Sequence, residues 1–131
     1  MTSIFTKIIQ GDIPSYKIAE DQGHYAFLDI NPNAKGHTLV VPKKEVDKLF
    51  DLDEESYKAL LQFARRIAKA LEKTIPCNRI GMSVVGLEVP HAHVHLIPMN
   101  RVSDMNFTSK KMSMQHEDFV LLASEIAQNF E

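Results

Sequence analysis

The sequence is most informative at Val89-Pro90-His91-Ala92-His93-Val94-His95-Leu96-Ile97-Pro98, where three histidines alternate with apolar residues. Side chains of a β-strand point alternately to its two faces, so the pattern predicts a strand over residues 92–97. The apolar residues between the histidines then face a core. Prolines on both sides are expected to confine the strand, because proline donates no hydrogen bond to a sheet. The residues that share the other face are His91, His93 and His95.

The rest of the chain combines short strands with two clear helical patterns. Apolar residues recur at intervals of three and four over 52–75, which predicts a long helix with one buried face. Shorter helices are predicted at 3–10 and 115–129, and the intervening 99–113 segment is expected to be mobile or to face a partner. Because strands come in runs, we predict an α+β fold with an antiparallel sheet of about five strands, one face under the long helix and the other free for ligand. The strands are predicted at 16–20, 24–29, 37–41, 79–85 and 92–97.

Composition limits the class of protein. With 131 residues, of which 44% are hydrophobic and 24% charged, the chain fits one domain, predicted to span residues 1–131. A formal net charge of −2 argues against a nucleic-acid-binding protein that relies on overall charge. Cys77 is the single cysteine, so no disulfide forms within the chain. There is neither an apolar run long enough to span a membrane nor a signal-peptide core, so we expect a cytoplasmic protein.

Three interpretations of the alternating histidines differ in their chemistry. In the first, the rings are structural and lie in solvent or against the core. In the second, neighbouring imidazoles bind a metal ion, with a further ligand such as His37 or Glu88 supplied from elsewhere. In the third, a neutral imidazole attacks phosphorus and forms a covalent intermediate, which water then hydrolyses.

Nucleophilic catalysis makes demands that this pattern can meet. The attacking ring needs a free lone pair on one nitrogen, and its other nitrogen must donate to a fixed acceptor. His93, the middle histidine, is the natural nucleophile, and cationic rings beside it would stabilise charge on the phosphate oxygens. His37 follows a turn at Lys35-Gly36 and is the candidate for a fourth histidine on a neighbouring strand. We therefore favour catalysis over the other two interpretations.

The segment 91–97 resembles the His-φ-His-φ-His-φ-φ signature of the histidine triad (HIT) superfamily, in which φ is an apolar residue. The resemblance covers nearly the whole chain and is closest to the Hint-like branch of that superfamily. Several further blocks follow the order found in the N-terminal half of the family. These are Ser3–Ile9, Ile13-Pro14, Phe27–Pro32 and Gly36–Lys44.

This resemblance implies a fold, a partner and a reaction. The fold is the HIT α+β fold, usually a homodimer whose two sheets join into one continuous sheet. The reaction is hydrolysis or transfer at the α-phosphate of a nucleotide, through a nucleotidyl-histidine intermediate and without a metal. The implied substrates are nucleoside phosphoramidates, acyl-nucleotides or dinucleoside polyphosphates, and we expect purine bases with weak selectivity.

The resemblance also assigns roles to individual residues. His93 matches the nucleophile, His95 matches a residue that contacts phosphate oxygens, and His91 matches one that orients the nucleophile, in part through its backbone carbonyl. His37 matches the fourth histidine, and Asp29 matches an acidic residue that binds ribose hydroxyls, although an aspartate here is also typical of a turn. The residues that match the apolar slot around the base are Ile4, Phe5, Ile8, Phe27 and Ile30.

The loop before the histidines departs from the family pattern. Many relatives carry an amide and a serine or threonine there, whereas this chain has Leu87 and Glu88. A carboxylate beside the leaving group can repel a polyphosphate, or protonate a leaving amine if its pKa is raised. A dinucleoside polyphosphate hydrolase and a nucleotide-binding adaptor with vestigial catalysis therefore stay as alternatives to a phosphoramidase. The cysteine pair that binds zinc in some relatives is missing, so we expect no structural zinc.

Overall fold

The computed structural model describes residues 2–131, whose five strands form one antiparallel sheet with helices on both faces. The strand order is β1-β2-β3-β5-β4, and each neighbouring pair is antiparallel. The predicted α+β class and the five-stranded sheet are therefore confirmed. In chain order the elements are α1 (Ile4–Ile9), β1 (Lys17–Glu20), β2 (His24–Leu28), β3 (Thr38–Pro42), α2 (Glu54–Thr74), β4 (Arg79–Ser83), β5 (Val94–Met99) and α3 (His116–Gln128), with short 3-10 helices at Leu49–Asp51 and Val102–Met105.

Local signals set the bounds of the helices. Before α1, the Ser3 hydroxyl accepts a hydrogen bond from the Thr6 N–H at 3.0 Å. Before α2, the Asp53 carboxylate accepts one from the Ser56 N–H at 3.3 Å, and the helix ends just ahead of Pro76. All three predicted helices are confirmed to within two residues at each end. Across residues 2–131, none of them combines the length and apolar character that crossing a membrane requires.

The two faces of the sheet bury separate apolar clusters. On one face the sheet packs against α2 and α3, and Ala92, Val94 and Leu96 lie in that cluster, as predicted. On the other face, α1 contributes Phe5 and Ile8 to a smaller cluster. Helix α1 therefore covers part of the face that was expected to be free for ligand. The strand residues of this smaller cluster are Tyr25, Phe27, Leu39 and Val41.

Strand β5 begins and ends two residues later than predicted. Pro98 lies inside the strand and pairs with Ile80 of β4, instead of ending the strand. On the other side, β3 pairs with β5 only as far as Leu96. A proline is tolerated because, at this level of the sheet, it removes no hydrogen bond to β3.

The backbone ahead of β5 leaves the sheet. The Ala92 N–H donates to the Val46 carbonyl at 2.7 Å, and the His91 N–H donates to the Val89 carbonyl at 2.8 Å. Because Ala92 bonds to a loop and not to a neighbouring strand, only His95 among the three histidines lies in β5. The prediction that one regular strand carries all of them is wrong in this respect.

Two connections bring distant residues to the histidines. Gly36 leads into β3 with φ +93°, and a Cβ atom there would overlap the Ile75 side chain, so glycine is required just before His37. The 99–113 segment lies against its own chain, since the Met112 N–H donates to the Pro32 carbonyl at 3.0 Å. It is therefore held beside the turn that precedes β3 and is not mobile along its whole length, while contact of this segment with a partner stays a prediction.

Candidate active site

Four buried histidines form a contiguous group. The ring centroids of His93 and His95 are 5.0 Å apart, and those of His95 and His37 are 5.2 Å apart. The Phe5 ring packs against both His91 and His93, with its centroid 5.8 and 4.9 Å from theirs. Each histidine exposes less than a tenth of its surface. The structure therefore brings together all four histidines singled out in the sequence.

Backbone carbonyls fix the protonation of His91 and His93. The Nδ1 atom of His93 lies 2.7 Å from the His91 carbonyl oxygen, and because a carbonyl only accepts, Nδ1 carries the hydrogen. In the neutral ring, Nε2 of His93 then keeps a free lone pair. The Nε2 atom of His91 likewise donates to the Pro42 carbonyl at 2.8 Å, so its Nδ1 accepts from the Ser3 hydroxyl at 2.7 Å.

A second chain of hydrogen bonds fixes the protonation of His37 and His95. The backbone N–H of Asn33 donates to His37 Nδ1 at 3.0 Å, so the hydrogen of the neutral His37 ring is on Nε2. That atom lies 2.9 Å from His95 Nδ1 and donates to it. The hydrogen of the neutral His95 ring is then on Nε2, where it can be donated to a ligand. The chain therefore presents a donor beside the free lone pair of His93.

Burial keeps the rings beside His93 neutral. It lowers the pKa of His37 to about 3, and repulsion from Lys111 and from the protonated form of His95 adds to the effect. Burial also lowers the pKa of His95 to about 4, with further contributions from His93 and Lys111. For His91, burial again shifts the pKa downward. The rings flanking His93 were expected to be cationic, but at pH 7 His95 donates as a neutral group, and so does His37.

These low pKa values predict that acid destabilises the fold. Between pH 7 and pH 5 an unfolded chain protonates histidine near its ordinary pKa of about 6.5, whereas native His37 stays neutral. The unfolded state thus binds the additional proton, and His37 alone should lower the free energy of unfolding by about 2 kcal/mol over this interval. Denaturant titrations of the wild type and His37→Asn at both pH values measure this, and the variant should lose about 2 kcal/mol less. Equal losses would contradict a buried, neutral His37.

Asp29 lies between a turn and the histidines. Its Oδ1 accepts the Asn31 N–H at 2.8 Å, the bond expected of an aspartate that starts a turn, while Oδ2 lies 3.6 Å from His37 Nε2. Burial raises the pKa of this carboxyl, the Asn31 N–H and the charge of Lys111 oppose the shift, and the charge of Glu88 reinforces it. The negative charge of the exposed Glu88 therefore acts on Asp29. The side chain of Asp29 is 20% exposed, so a ligand can reach it.

The five apolar residues predicted for the base slot have different environments. Phe5 and Ile8 of α1 are buried with Phe27 between the helix and the sheet, and the ring centroids of Phe5 and Phe27 lie 5.6 Å apart in an edge-to-face arrangement. Ile4 and Ile30 instead expose 48% and 64% of their surfaces. The exposed pair is available to contact a base, and the role of all five in nucleotide binding stays a prediction.

Glu45 holds the N-terminal segment against the histidines. One of its oxygens accepts hydrogen bonds from the Ser3 N–H and the Thr6 hydroxyl, both at 2.6 Å. The Ser3 hydroxyl in turn is hydrogen-bonded to His91, and Phe5 of α1 packs against the His93 ring. Neither Glu45 nor the role of Ser3 could be predicted from the sequence, because Ser3 lies 42 residues from Glu45 and 88 from His91, and no local pattern marks such contacts.

Ser83 is a further residue that sequence analysis missed. It pairs with His95 in the register of β4 and β5, so the two side chains share one face of the sheet. Its hydroxyl oxygen is buried and has no hydrogen-bond partner among residues 2–131. Buried hydroxyls are usually hydrogen-bonded, so this one is available to a ligand that reaches His95.

Asp29, His37 and His95 could together hold a metal ion. Each offers one ligand atom, and these atoms lie within 4.8 Å of one another. A metal would need the nitrogens that now form the 2.9 Å bond between His37 and His95. The bond from the Asn33 N–H to His37 also fits a chain of neutral donors and acceptors. The geometry therefore favours the hydrogen-bonded chain over the metal-binding alternative.

Comparison with known proteins places this group of histidines in a family. The sequence profile of the HIT domain matches residues 10–102, which include all four histidines. The chain belongs to the HIT family. A HIT-like crystal structure from Bartonella henselae has a TM-score of 0.85 and 31% identity, covering 98% of this chain and 96% of that one. The predicted family and HIT-like fold are thus confirmed.

Relatives of this HIT protein include proteins that are named for an enzymatic activity. An uncharacterised HIT-like protein of Borreliella burgdorferi is 35% identical, with 96% of each chain covered. The adenosine 5′-monophosphoramidase HNT1 of Saccharomyces cerevisiae is 43% identical over 96 residues, which are 72% of this chain and 61% of the yeast protein. The match to the yeast enzyme therefore spans less than two thirds of that enzyme.

Proposed function

We propose that this HIT protein is a hydrolase or nucleotidyl transferase that acts at the α-phosphate of purine nucleoside phosphoramidates, with His93 as nucleophile. The free Nε2 lone pair of His93, set by the 2.7 Å bond from Nδ1 to the His91 carbonyl, is the observation that carries the proposal. The similarity to a yeast adenosine 5′-monophosphoramidase supports the same class of reaction.

The reaction proceeds in two steps. The Nε2 atom of His93 attacks the α-phosphorus and forms a nitrogen–phosphorus bond, while the bond to the leaving amine breaks and the amine takes the electron pair and a proton from solvent. The Nε2–H of His95 donates to a phosphate oxygen as charge develops. Water then attacks phosphorus and releases a proton to solvent, the electron pair of the broken bond returns to Nε2 of His93, and the nucleoside monophosphate leaves. In a transfer reaction another nucleophile takes the place of water.

Release of AMP from adenosine 5′-monophosphoramidate tests this function. The wild-type protein should release AMP at an unchanged rate after exhaustive chelation, because the covalent step uses an imidazole and no metal. Loss of activity on chelation, with recovery on adding back a metal ion, would instead favour the metal-binding alternative at Asp29, His37 and His95. No release under either condition would contradict an enzymatic function.

Glu88 tests the choice of leaving group. Its charge acts on Asp29, so a polyphosphate bound at the histidines would be repelled by this carboxylate. Glu88→Ser should therefore increase cleavage of a diadenosine polyphosphate several-fold relative to cleavage of a phosphoramidate, as measured by kcat/KM on both substrates. Glu88→Gln, which removes the charge and keeps the size, is the matched control and should shift the ratio in the same direction. An unchanged ratio would show that Glu88 does not select the leaving group.

Other features stay proposals. Tight nucleotide binding without turnover would favour an adaptor, for which the unusual Leu87-Glu88 pair is the motivating observation.

We also propose a single domain, a cytoplasmic location and a homodimer. β4 lies at an edge of the five-stranded sheet and exposes 56% of Met82, which supports continuation of the sheet into a second copy.

A further inference from the structure

The segment after β5 carries a cation to the edge of the active site. The Lys111 ammonium donates to the side-chain oxygen of Asn33, and it lies 5.2 Å from the centroid of the Phe107 ring. The Phe107 ring in turn packs against His95 and His37, with centroid separations of 4.6 and 6.1 Å. Lys111 is thus held in place from two sides.

The position of Lys111 is fixed by residues that belong to the site itself. The side-chain oxygen of Asn33 accepts a hydrogen bond from the Lys111 ammonium, and the backbone N–H of Asn33 donates to His37. The side-chain amide of Asn33 also donates to the Asp104 carbonyl at 3.2 Å, which ties the turn before β3 to the segment after β5. The family profile ends at residue 102, so Phe107 and Lys111 lie outside the region matched by the HIT profile.

The site needs a positive charge that its histidines do not supply. A nucleotide brings at least one negative charge on the α-phosphate, and an anion in a partly buried site is stabilised by a nearby cation. His37 and His95 are neutral at pH 7, while Asp29 and Glu88 bring negative charge to the same region. The charge of Lys111 reaches this region, since it acts on His37, His95 and Asp29 alike.

We propose that Lys111 is a substrate-binding residue whose ammonium group pairs with the phosphate of the bound nucleotide. The side chain is half-buried, so it can leave Asn33 for a phosphate oxygen that enters the site. Phe107 restricts the movement of the Lys111 side chain, because its ring packs against both the ammonium group and His95. This inference rests on the proposed function and adds that nucleotides carrying a 5′-phosphate are preferred over nucleosides.

Binding of AMP and of adenosine to Lys111→Met tests the assignment. Calorimetry should show AMP binding weakened about tenfold, the loss expected for one hydrogen bond to a charged group. Adenosine, which has the same base and ribose but no phosphate, should bind within about twofold of the wild type. Lys111→Arg, which keeps the charge, should bind AMP nearly as well as the wild type does.

Lys110→Met is the matched control, since it removes the same charge from an exposed neighbouring position. This variant should bind both ligands like the wild type. An equal loss of AMP and adenosine in Lys111→Met would show that the lysine only holds the segment in place, and an unchanged affinity for AMP would also overturn the proposal. The chemistry at His93 is tested separately: a wild-type protein that prefers AMP through Lys111 but has no turnover would contradict the proposed function and leave this assignment standing.

Discussion

Replacement of His93 by alanine is expected to lower phosphoramidate turnover by at least about 10⁴-fold, because the residue supplies the atom that bonds to phosphorus. Binding of AMP should change far less, since Phe5, Asp29 and His95 keep their positions around the ligand. Steady-state assays of kcat combined with calorimetry of AMP binding check both expectations. In His93→Gly, added imidazole should restore part of the turnover, because a free ring can take the vacated place.

His116→Ala is the matched control for His93→Ala. His116 lies at the start of α3, is exposed, and bonds to the Tyr16 hydroxyl at 2.8 Å. Turnover should be unaffected by its loss. Wild-type turnover in His93→Ala would contradict the nucleophile assignment, whereas loss of AMP binding together with turnover would mean that His93 mainly supports the shape of the site.

His95→Ala should give the second-largest effect, a fall in kcat of about 10²–10³-fold with little change in KM. The Nε2–H of His95 donates to phosphate oxygens, and this bond strengthens in the transition state, where negative charge develops on those oxygens. His37→Ala should have a smaller effect, because His37 acts through its 2.9 Å bond to His95. A double-mutant cycle measures this dependence.

The double variant should be no slower than His95→Ala alone. If the two losses multiply, His37 contacts the substrate independently and the proposed chain from Asn33 to His95 is wrong. Normal kcat in His95→Ala would contradict the role of that residue as a donor. Chemical shifts of the ring nitrogens provide a separate check, because the chain requires hydrogen on Nε2 of both rings.

The elements that local signals define were predicted well from the sequence. The period of apolar residues and the cap at Asp53 define α2, whose observed bounds are Glu54–Thr74. The strand at the histidines was shifted by two residues because its bounds depend on neighbours distant in sequence. Ala92 bonds to Val46, and pairing with β3 stops at Leu96, and neither contact leaves a mark in the local pattern.

Residue identity gave the candidate site, but its electrostatics depend on burial. The alternation of three histidines, with His37 upstream, was enough to assemble the group. Their protonation could not be predicted, since burial and the carbonyls of His91 and Pro42 set it. Lys111 was missed for a related reason: a lone lysine in a polar segment is ordinary until the fold lays it against Asn33, 78 residues away.

The proposed mechanism depends most on a covalent bond between phosphorus and one ring nitrogen of His93. Rapid quenching of the wild-type protein during turnover of adenosine 5′-monophosphoramidate, followed by intact-mass measurement and peptide mapping, tests this bond directly. We predict a mass increase of one adenylyl group, located on His93 and missing from His93→Ala. Steady turnover with no adenylylated protein, or an adenylyl group on a different residue, would contradict the account.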